Sequence, residues 1–119
     1  MNILIVDDEE LIREVIKEYC EVENYHVFEA SDGIYALDIV KNNMIDLIIL
    51  DIQLPKLTGF ELLEKLNKEN FKIPPVIITS ACAMDCDKQK AKEFGIEDYI
   101  TKPIDINNFI KTVKQKIVF

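Results

Sequence analysis

The chain has 119 residues, of which 49% are hydrophobic and 30% are charged, a composition typical of one globular domain of common size. Its formal net charge is -8 with a single arginine, and this acidic balance argues against binding of nucleic acid or an anionic membrane by this domain alone. The acidic N-terminus does not resemble a signal peptide, three irregularly spaced cysteines favour reduced thiols, and no apolar run approaches a membrane span, so we expect a cytoplasmic protein.

Short apolar runs alternate with longer amphipathic segments along the whole chain. In chain order, the predicted strands are Ile3–Val6, His26–Ala30, Asp46–Leu50, Val76–Ser80 and Asp98–Thr101, and a helix is predicted after each of them. Strict alternation with nearly continuous apolar strands implies a parallel sheet that is covered on both faces. Right-handed crossovers leave few arrangements, of which one is the flavodoxin-like, doubly wound order 2-1-3-4-5. We therefore predict a single α/β domain over residues 1–119, with five strands and five helices.

Local signals mark several helix ends. The run from Thr58 to Glu61 matches a capping box, in which each residue's side chain accepts a hydrogen bond from the backbone of the other. Gly95 is a predicted C-cap of the fourth helix, and Asp105 is a predicted N-cap of the fifth.

Four of the predicted strands end at side chains that carry chemistry. Asp7 and Asp8 follow the first strand, Asp51 follows the third, Ser80 ends the fourth and Lys102 follows the fifth. In a sheet of this order, ligands bind beyond the carboxyl ends of the strands, where strands 1 and 3 meet. We therefore expect these five side chains to lie at one edge of the sheet.

Three carboxylates at one edge repel one another, by about 3 kcal/mol for each pair about 5 Å apart at an effective dielectric constant of about 20. A divalent cation relieves this repulsion, and oxygen ligands without sulfur or imidazole favour Mg²⁺. Lys102 is a point charge suited to a phosphoryl oxygen, and the Ser80 hydroxyl is a donor for another. Asp51 is then a candidate nucleophile, because a carboxylate that attacks phosphorus forms an aspartyl phosphate.

Each of these residues also has an ordinary structural interpretation when it is considered singly. Asp7 and Asp8 can cap the first helix, and Asp51 can be a turn residue at the end of a strand. Their joint placement at one sheet edge favours the chemical interpretation.

Five ordered motifs, spread over essentially the whole chain, resemble the receiver domains of two-component response regulators. They are Asp7-Asp8, the Asp51, Pro55 and Gly59 run, Ser80-Ala81, Tyr99, and Lys102-Pro103. The resemblance implies that Asp51 is the phosphoacceptor, that Asp8 is a direct Mg²⁺ ligand and that Asp7 is its water-bridged companion. It also implies that the backbone carbonyl of Gln53 is a further protein ligand.

The same resemblance implies that Ser80 and Lys102 bind the phosphoryl oxygens. Tyr99 resembles the aromatic residue whose rotamer follows the movement of Ser80 and alters the surface formed by helix 4, strand 5 and helix 5. On a short strand, Tyr99 is alternatively a half-buried packing residue. The Lys102-Pro103 peptide bond is a candidate for the cis isomer.

The sequence departs from the commonest receiver pattern at two positions. Leu54 stands where methionine is frequent, which is a near-neutral exchange in packing. Cys82 stands two residues after Ser80, where many members carry a polar or charged residue. In the family the positions of Cys82 and Gln53 flank the path of attacking water, so the resemblance implies that dephosphorylation differs from that of members with an acid in place of Cys82.

The resulting prediction is a bacterial signalling switch that promotes only its own phosphorylation and dephosphorylation, and is not an enzyme with an external substrate. Its expected partners are a histidine kinase or phosphotransfer protein, and a second copy or an output domain at the helix 4–strand 5–helix 5 face. Two alternatives remain. One is a pseudo-receiver that docks without phosphorylation, and the other is an aspartate-dependent phosphatase, although that class usually has an acid where Gln53 stands.

Overall fold

The computed structural model describes residues 1–80, 85–96, 98–102 and 104–117. Strands and helices alternate along them as β1 (Asn2–Val6), α1 (Glu10–Val22), β2 (His26–Ala30), α2 (Gly33–Asn42), β3 (Leu47–Asp51), α3 (Gly59–Lys68), β4 (Val76–Ser80), α4 (Asp85–Glu93), β5 (Asp98–Thr101) and α5 (Ile106–Ile117). Cys82 and the Lys102-Pro103 peptide bond, on which two predictions fall, lie outside the described residues. None of the described helices combines the length and the apolar composition needed to cross a membrane.

All five strands are parallel and lie in the order β2-β1-β3-β4-β5, which confirms the predicted topology. β3 and β4 are buried along their whole length, as expected for central strands covered on both faces. The carboxyl ends of β1, β3 and β4 are therefore held on a rigid, buried support.

Alternate residues of the strands face two separate hydrophobic layers. Leu4, Ile48 and Ile78 belong to the layer formed with α2, α3 and α4. Their neighbours in sequence belong to the layer formed with α1 and α5, in which Phe109 is almost fully buried. Because the two faces of the sheet pack against different layers, the face to which each strand residue points follows from its position along the strand.

The third strand is shifted by one residue from the predicted range. Asp46 lies before β3, where its carboxylate accepts a hydrogen bond from the Asn2 backbone N–H at 2.7 Å. Asp51 is the last residue of β3 and pairs in register with Thr79.

The start of α3 lies directly against the end of β3. Thr58 and Glu61 form the predicted capping box, with the Glu61 N–H donating to Thr58 Oγ1 at 3.3 Å and the Thr58 N–H donating to Glu61 Oε1 at 3.1 Å. The Gly59 N–H donates to the Ile52 carbonyl, and a Cβ atom at Gly59 would lie 2.9 Å from the carbonyl oxygen of Asp51. Glycine is therefore required for this close approach.

Removing the cap of α3 should destabilise the domain. We expect Thr58→Ala to lower the free energy of unfolding by about 1 kcal/mol, because the Glu61 N–H loses its acceptor. Urea denaturation measures the change. Thr112→Ala is the matched control, since Thr112 lies within α5 and bonds back to the Asn108 carbonyl. The two variants having equal stability would contradict the predicted role of the cap.

Candidate functional site

The parallel sheet brings the ends of four strands to one edge, and the polar side chains identified in the sequence lie there. Asp7 follows β1, Asp51 ends β3, Ser80 ends β4 and Lys102 follows β5. Val6 pairs with Leu50, so Asp7, which follows β1, is level with Asp51, which ends β3. The topology thus brings together residues that are far apart in sequence.

Asp7, Asp8 and Asp51 form a compact acidic cluster. Each contributes a carboxylate oxygen to a group whose members all lie within 4.8 Å of one another. Asp7 and Asp51 are buried, with 2% and 3% of their surface exposed, whereas Asp8 is exposed. One side of the cluster is therefore open to solvent.

Local backbone hydrogen bonds orient the two buried carboxylates. Asp7 Oδ1 accepts from the Glu9 N–H at 2.9 Å, and Asp51 Oδ1 accepts from the Gln53 N–H at 3.0 Å. These bonds to the residue two positions later are the usual turn geometry of aspartate. They leave Oδ2 of each carboxylate for a different partner.

The ammonium group of Lys102 is the partner of both Oδ2 atoms. Its Nζ lies 2.9 Å from Asp7 Oδ2, 3.0 Å from Asp51 Oδ2 and 3.4 Å from Glu9 Oε1. The Lys102 backbone N–H donates to the Ser80 carbonyl at 2.7 Å, which fixes the start of the side chain to the end of β4. One cation thus neutralises part of the charge of the acidic cluster.

The pKa values of Asp51 and Lys102 depend on burial and on these contacts. Burial raises the pKa of Asp51 above its usual range, and hydrogen bonds from the Gln53 N–H and the Lys102 ammonium offset this only in part. Burial alone would lower the pKa of Lys102, but its close contacts with the carboxylates of Asp7 and Asp51 outweigh this and hold that pKa well above its usual range. Lys102 therefore stays charged at neutral pH.

The cluster fits a divalent cation. Three carboxylates and one ammonium leave two negative charges, since -3 and +1 sum to -2. Within the described part of the chain, Asp7 Oδ2 is buried and accepts no aligned hydrogen bond, although Lys102 Nζ lies 2.9 Å away. Hard oxygen atoms with unsatisfied negative charge are the ligands that Mg²⁺ prefers.

The remaining predicted site residues lie at or near this edge. Gln53 is tied to the edge by the bond from its N–H to Asp51, while its carbonyl remains a predicted ligand. Ser80 is fully buried at the end of β4, and Tyr99 is half-buried on β5 with Lys88 Nζ 5.8 Å from its ring centroid. The N-cap position of α1 is occupied by Glu9 and not by Asp7 or Asp8, so the capping alternative does not account for those two residues.

Sequence reasoning missed two residues at the site. Glu9 places its carboxylate beside Lys102, and the Arg13 Nη1 group donates to the Asp7 carbonyl at 2.7 Å while its Nε lies 3.5 Å from Glu29. The sequence shows Glu9 only as part of an acidic run, and shows Arg13 only as the single arginine. Neither signal indicates which partner the side chain contacts.

Comparisons with known proteins agree with this arrangement. The family model of the response regulator receiver domain matches residues 3–114. The chain is 36% identical over 114 residues to the polar-differentiation response regulator DivK of Brucella ovis, covering 95% of this chain and 93% of that protein.

Two solved structures extend the similarity to the fold. The receiver domain of the Francisella response regulator 1452 is 35% identical with a TM-score of 0.88, and the match covers 97% of this chain and 94% of that chain. The response regulator TrrA of Thermotoga maritima, solved in complex with Mg(2+)-BeF, is 29% identical with a TM-score of 0.83, and the match covers 98% of both chains. The chain therefore belongs to the receiver domains of two-component response regulators.

Proposed function

We propose that this receiver domain is a phosphoacceptor switch, in which Asp51 accepts a phosphoryl group from a histidine kinase or a phosphotransfer protein. The observation that carries the proposal is the position of Lys102 Nζ, 2.9 Å from Asp7 Oδ2 and 3.0 Å from Asp51 Oδ2. A carboxylate can act as a nucleophile toward phosphorus, and the ammonium group beside it places positive charge where negative charge develops on the transferred phosphoryl group.

In the proposed reaction, an Asp51 carboxylate oxygen attacks the phosphorus atom of a phosphohistidine. The new oxygen–phosphorus bond forms as the phosphorus–nitrogen bond breaks, and the imidazole nitrogen keeps the electron pair and takes a proton from solvent. Lys102 then donates to a phosphoryl oxygen, and we assign the Ser80 hydroxyl to another. Positioning and electrostatic stabilisation supply most of the rate in such transfers.

The proposed metal ligands are the carboxylates of Asp8 and Asp51, Asp7 through a water molecule, and the backbone carbonyl of Gln53. Mg²⁺ held by these groups would supply positive charge to the phosphoryl oxygens. Two observations support this assignment: the carboxylate oxygens lie within 4.8 Å of one another, and the similar Thermotoga regulator was solved in complex with Mg(2+)-BeF.

The proposed output is a change of partner affinity, with no turnover of an external substrate. Loss of the Lys102 contact to Asp51, together with a movement of Ser80, would be transmitted to Tyr99 on β5. The face formed by α4, β5 and α5 would then bind a second copy or an output domain. The pairing of β4 with β5, in which Ile78 lies opposite Tyr99 and Ser80 lies opposite Thr101, supports this path.

Phosphorylation by a small donor tests the role of Asp51. We expect incubation with acetyl phosphate and Mg²⁺ to add one phosphoryl group to the wild-type protein, measured by intact mass spectrometry, and to add none to Asp51→Asn. Asp38→Asn is the matched control, because Asp38 is exposed on α2 and should leave the mass gain unchanged. An undiminished mass gain in Asp51→Asn would refute the role of Asp51 as phosphoacceptor. No mass gain in the wild type would favour the alternative of a pseudo-receiver that docks without phosphorylation.

The raised pKa of Asp51 predicts a dependence of stability on pH in metal-free buffer. Because the folded state binds the Asp51 proton more tightly than the unfolded state does, the stability that this residue contributes is complete below its ordinary pKa of 3.8 and is lost as pH rises through the raised folded value. At neutral pH with EDTA, we expect Asp51→Asn to have the higher free energy of unfolding, with a difference that shrinks below about pH 4.

Urea denaturation at several pH values measures this difference. Added Mg²⁺ should stabilise the wild type and not Asp51→Asn, because it binds only the folded carboxylate cluster. A pH-independent difference between the two proteins, or one of opposite sign at neutral pH, would contradict the prediction.

A further inference from the structure

The Lys102 ammonium contacts three carboxylates that differ in their surroundings. It has three N–H donors, and its Nζ lies within 3.4 Å of an oxygen from each of Asp7, Asp51 and Glu9. The side chains of Asp7 and Asp51 are 3% and 4% exposed, whereas that of Glu9 is 60% exposed. Two partners are therefore buried in the acidic cluster, and the third lies on its rim.

A divalent cation and the ammonium compete for the same two buried carboxylates. Asp7 Oδ1 and Asp51 Oδ1 already accept backbone hydrogen bonds, and both Oδ2 atoms face Lys102 Nζ. A cation bound by these residues weakens the hold of both on Lys102. Glu9 is not a member of the carboxylate group that fits the metal, so a cation bound there would leave the Glu9 carboxylate available to Lys102.

We propose that Glu9 is a positioning residue that retains the Lys102 ammonium at the rim when Mg²⁺ occupies the acidic cluster. Attraction to the Glu9 carboxylate then keeps the ammonium at the rim of the acidic cluster, where the phosphoryl group enters. The Lys102 side chain does not turn away into solvent. This inference deepens the proposed function and rests on it, since holding the ammonium matters only if a phosphoryl group enters. The contact between Glu9 and Lys102 itself forms without any phosphoryl donor.

The backbone explains why Glu9, and not its neighbour, has this role. Glu9 is the N-cap residue of α1, with extended backbone angles of φ -89° and ψ 111°, and its N–H donates to Asp7 Oδ1. Its main chain is thereby tied to the acidic cluster. Glu10 is the first residue of the helix itself and is also exposed, which makes it a control matched in charge, size and position.

A double-mutant cycle with Mg²⁺ as the probe tests the proposal. Mg²⁺ affinity would be measured by titration calorimetry in the wild type, Glu9→Gln, Lys102→Met and the double variant, with Glu10→Gln prepared in both backgrounds. We expect Glu9→Gln to weaken Mg²⁺ binding about three- to fivefold when Lys102 is present, because the displaced ammonium loses its remaining partner. In the Lys102→Met background, the effect of Glu9→Gln on Mg²⁺ affinity should equal that of Glu10→Gln, about twofold or less.

The ammonium group itself gives a second readout. At saturating Mg²⁺, we expect the NMR signal of the Lys102 Nζ hydrogens to persist in the wild type and in Glu10→Gln. In Glu9→Gln it should broaden through exchange with water.

Equal effects of Glu9→Gln in both Lys102 backgrounds would overturn the proposal, since a general loss of negative charge does not depend on Lys102. Equally sharp ammonium signals in wild type and Glu9→Gln would also overturn it. Failure of acetyl phosphate to modify Asp51 would refute the proposed function and leave both of these measurements valid.

Discussion

The pairing of one ammonium with two buried carboxylates is the interaction on which the rest of the site depends. Asp7 and Asp51 end adjacent central strands with 2% and 3% of their surface exposed, where unpaired charge is costly. Lys102, 51 residues beyond Asp51, supplies the opposite charge. The order β2-β1-β3-β4-β5 makes the contact possible, because it places the strand that precedes Lys102 two positions from β3.

The scaffold and the site differ in how they contribute to stability. The inner strands are packed between two hydrophobic layers and provide a rigid support. At their ends, burial of the Asp51 carboxylate disfavours its charged form and raises its pKa. A divalent cation bound by these carboxylates would favour the charged form, so the raised pKa of Asp51 and the proposed Mg²⁺ dependence have the same origin.

The loop after β3 controls how closely α3 approaches the acidic cluster. Gly59 lets the start of the helix lie against the Asp51 carbonyl, and the Thr58 cap fixes where the helix begins. Pro55 and Lys56, the latter at φ 66°, turn the chain between these two points. The backbone of Asp51 consequently lies against the start of α3, while its carboxylate contacts Lys102 Nζ.

Sequence patterns determined the fold class, the Thr58 cap and most of the residues at the functional edge, because these depend on periodicity and on which residues end each strand. They limited the strand order to a few arrangements, and the structure has the predicted one. The tertiary structure alone decided the first residue of β3, the contact of Arg13 with the Asp7 carbonyl, and the pairing of Glu9 with Lys102. Glu9 and Lys102 are 93 residues apart, and each belongs to a charged surface pattern that many partners would satisfy. Only the packing of β1, β3, β4 and β5 at fixed spacing selects one partner, since a charge pair depends on the distance between two side chains and not on the local sequence of either.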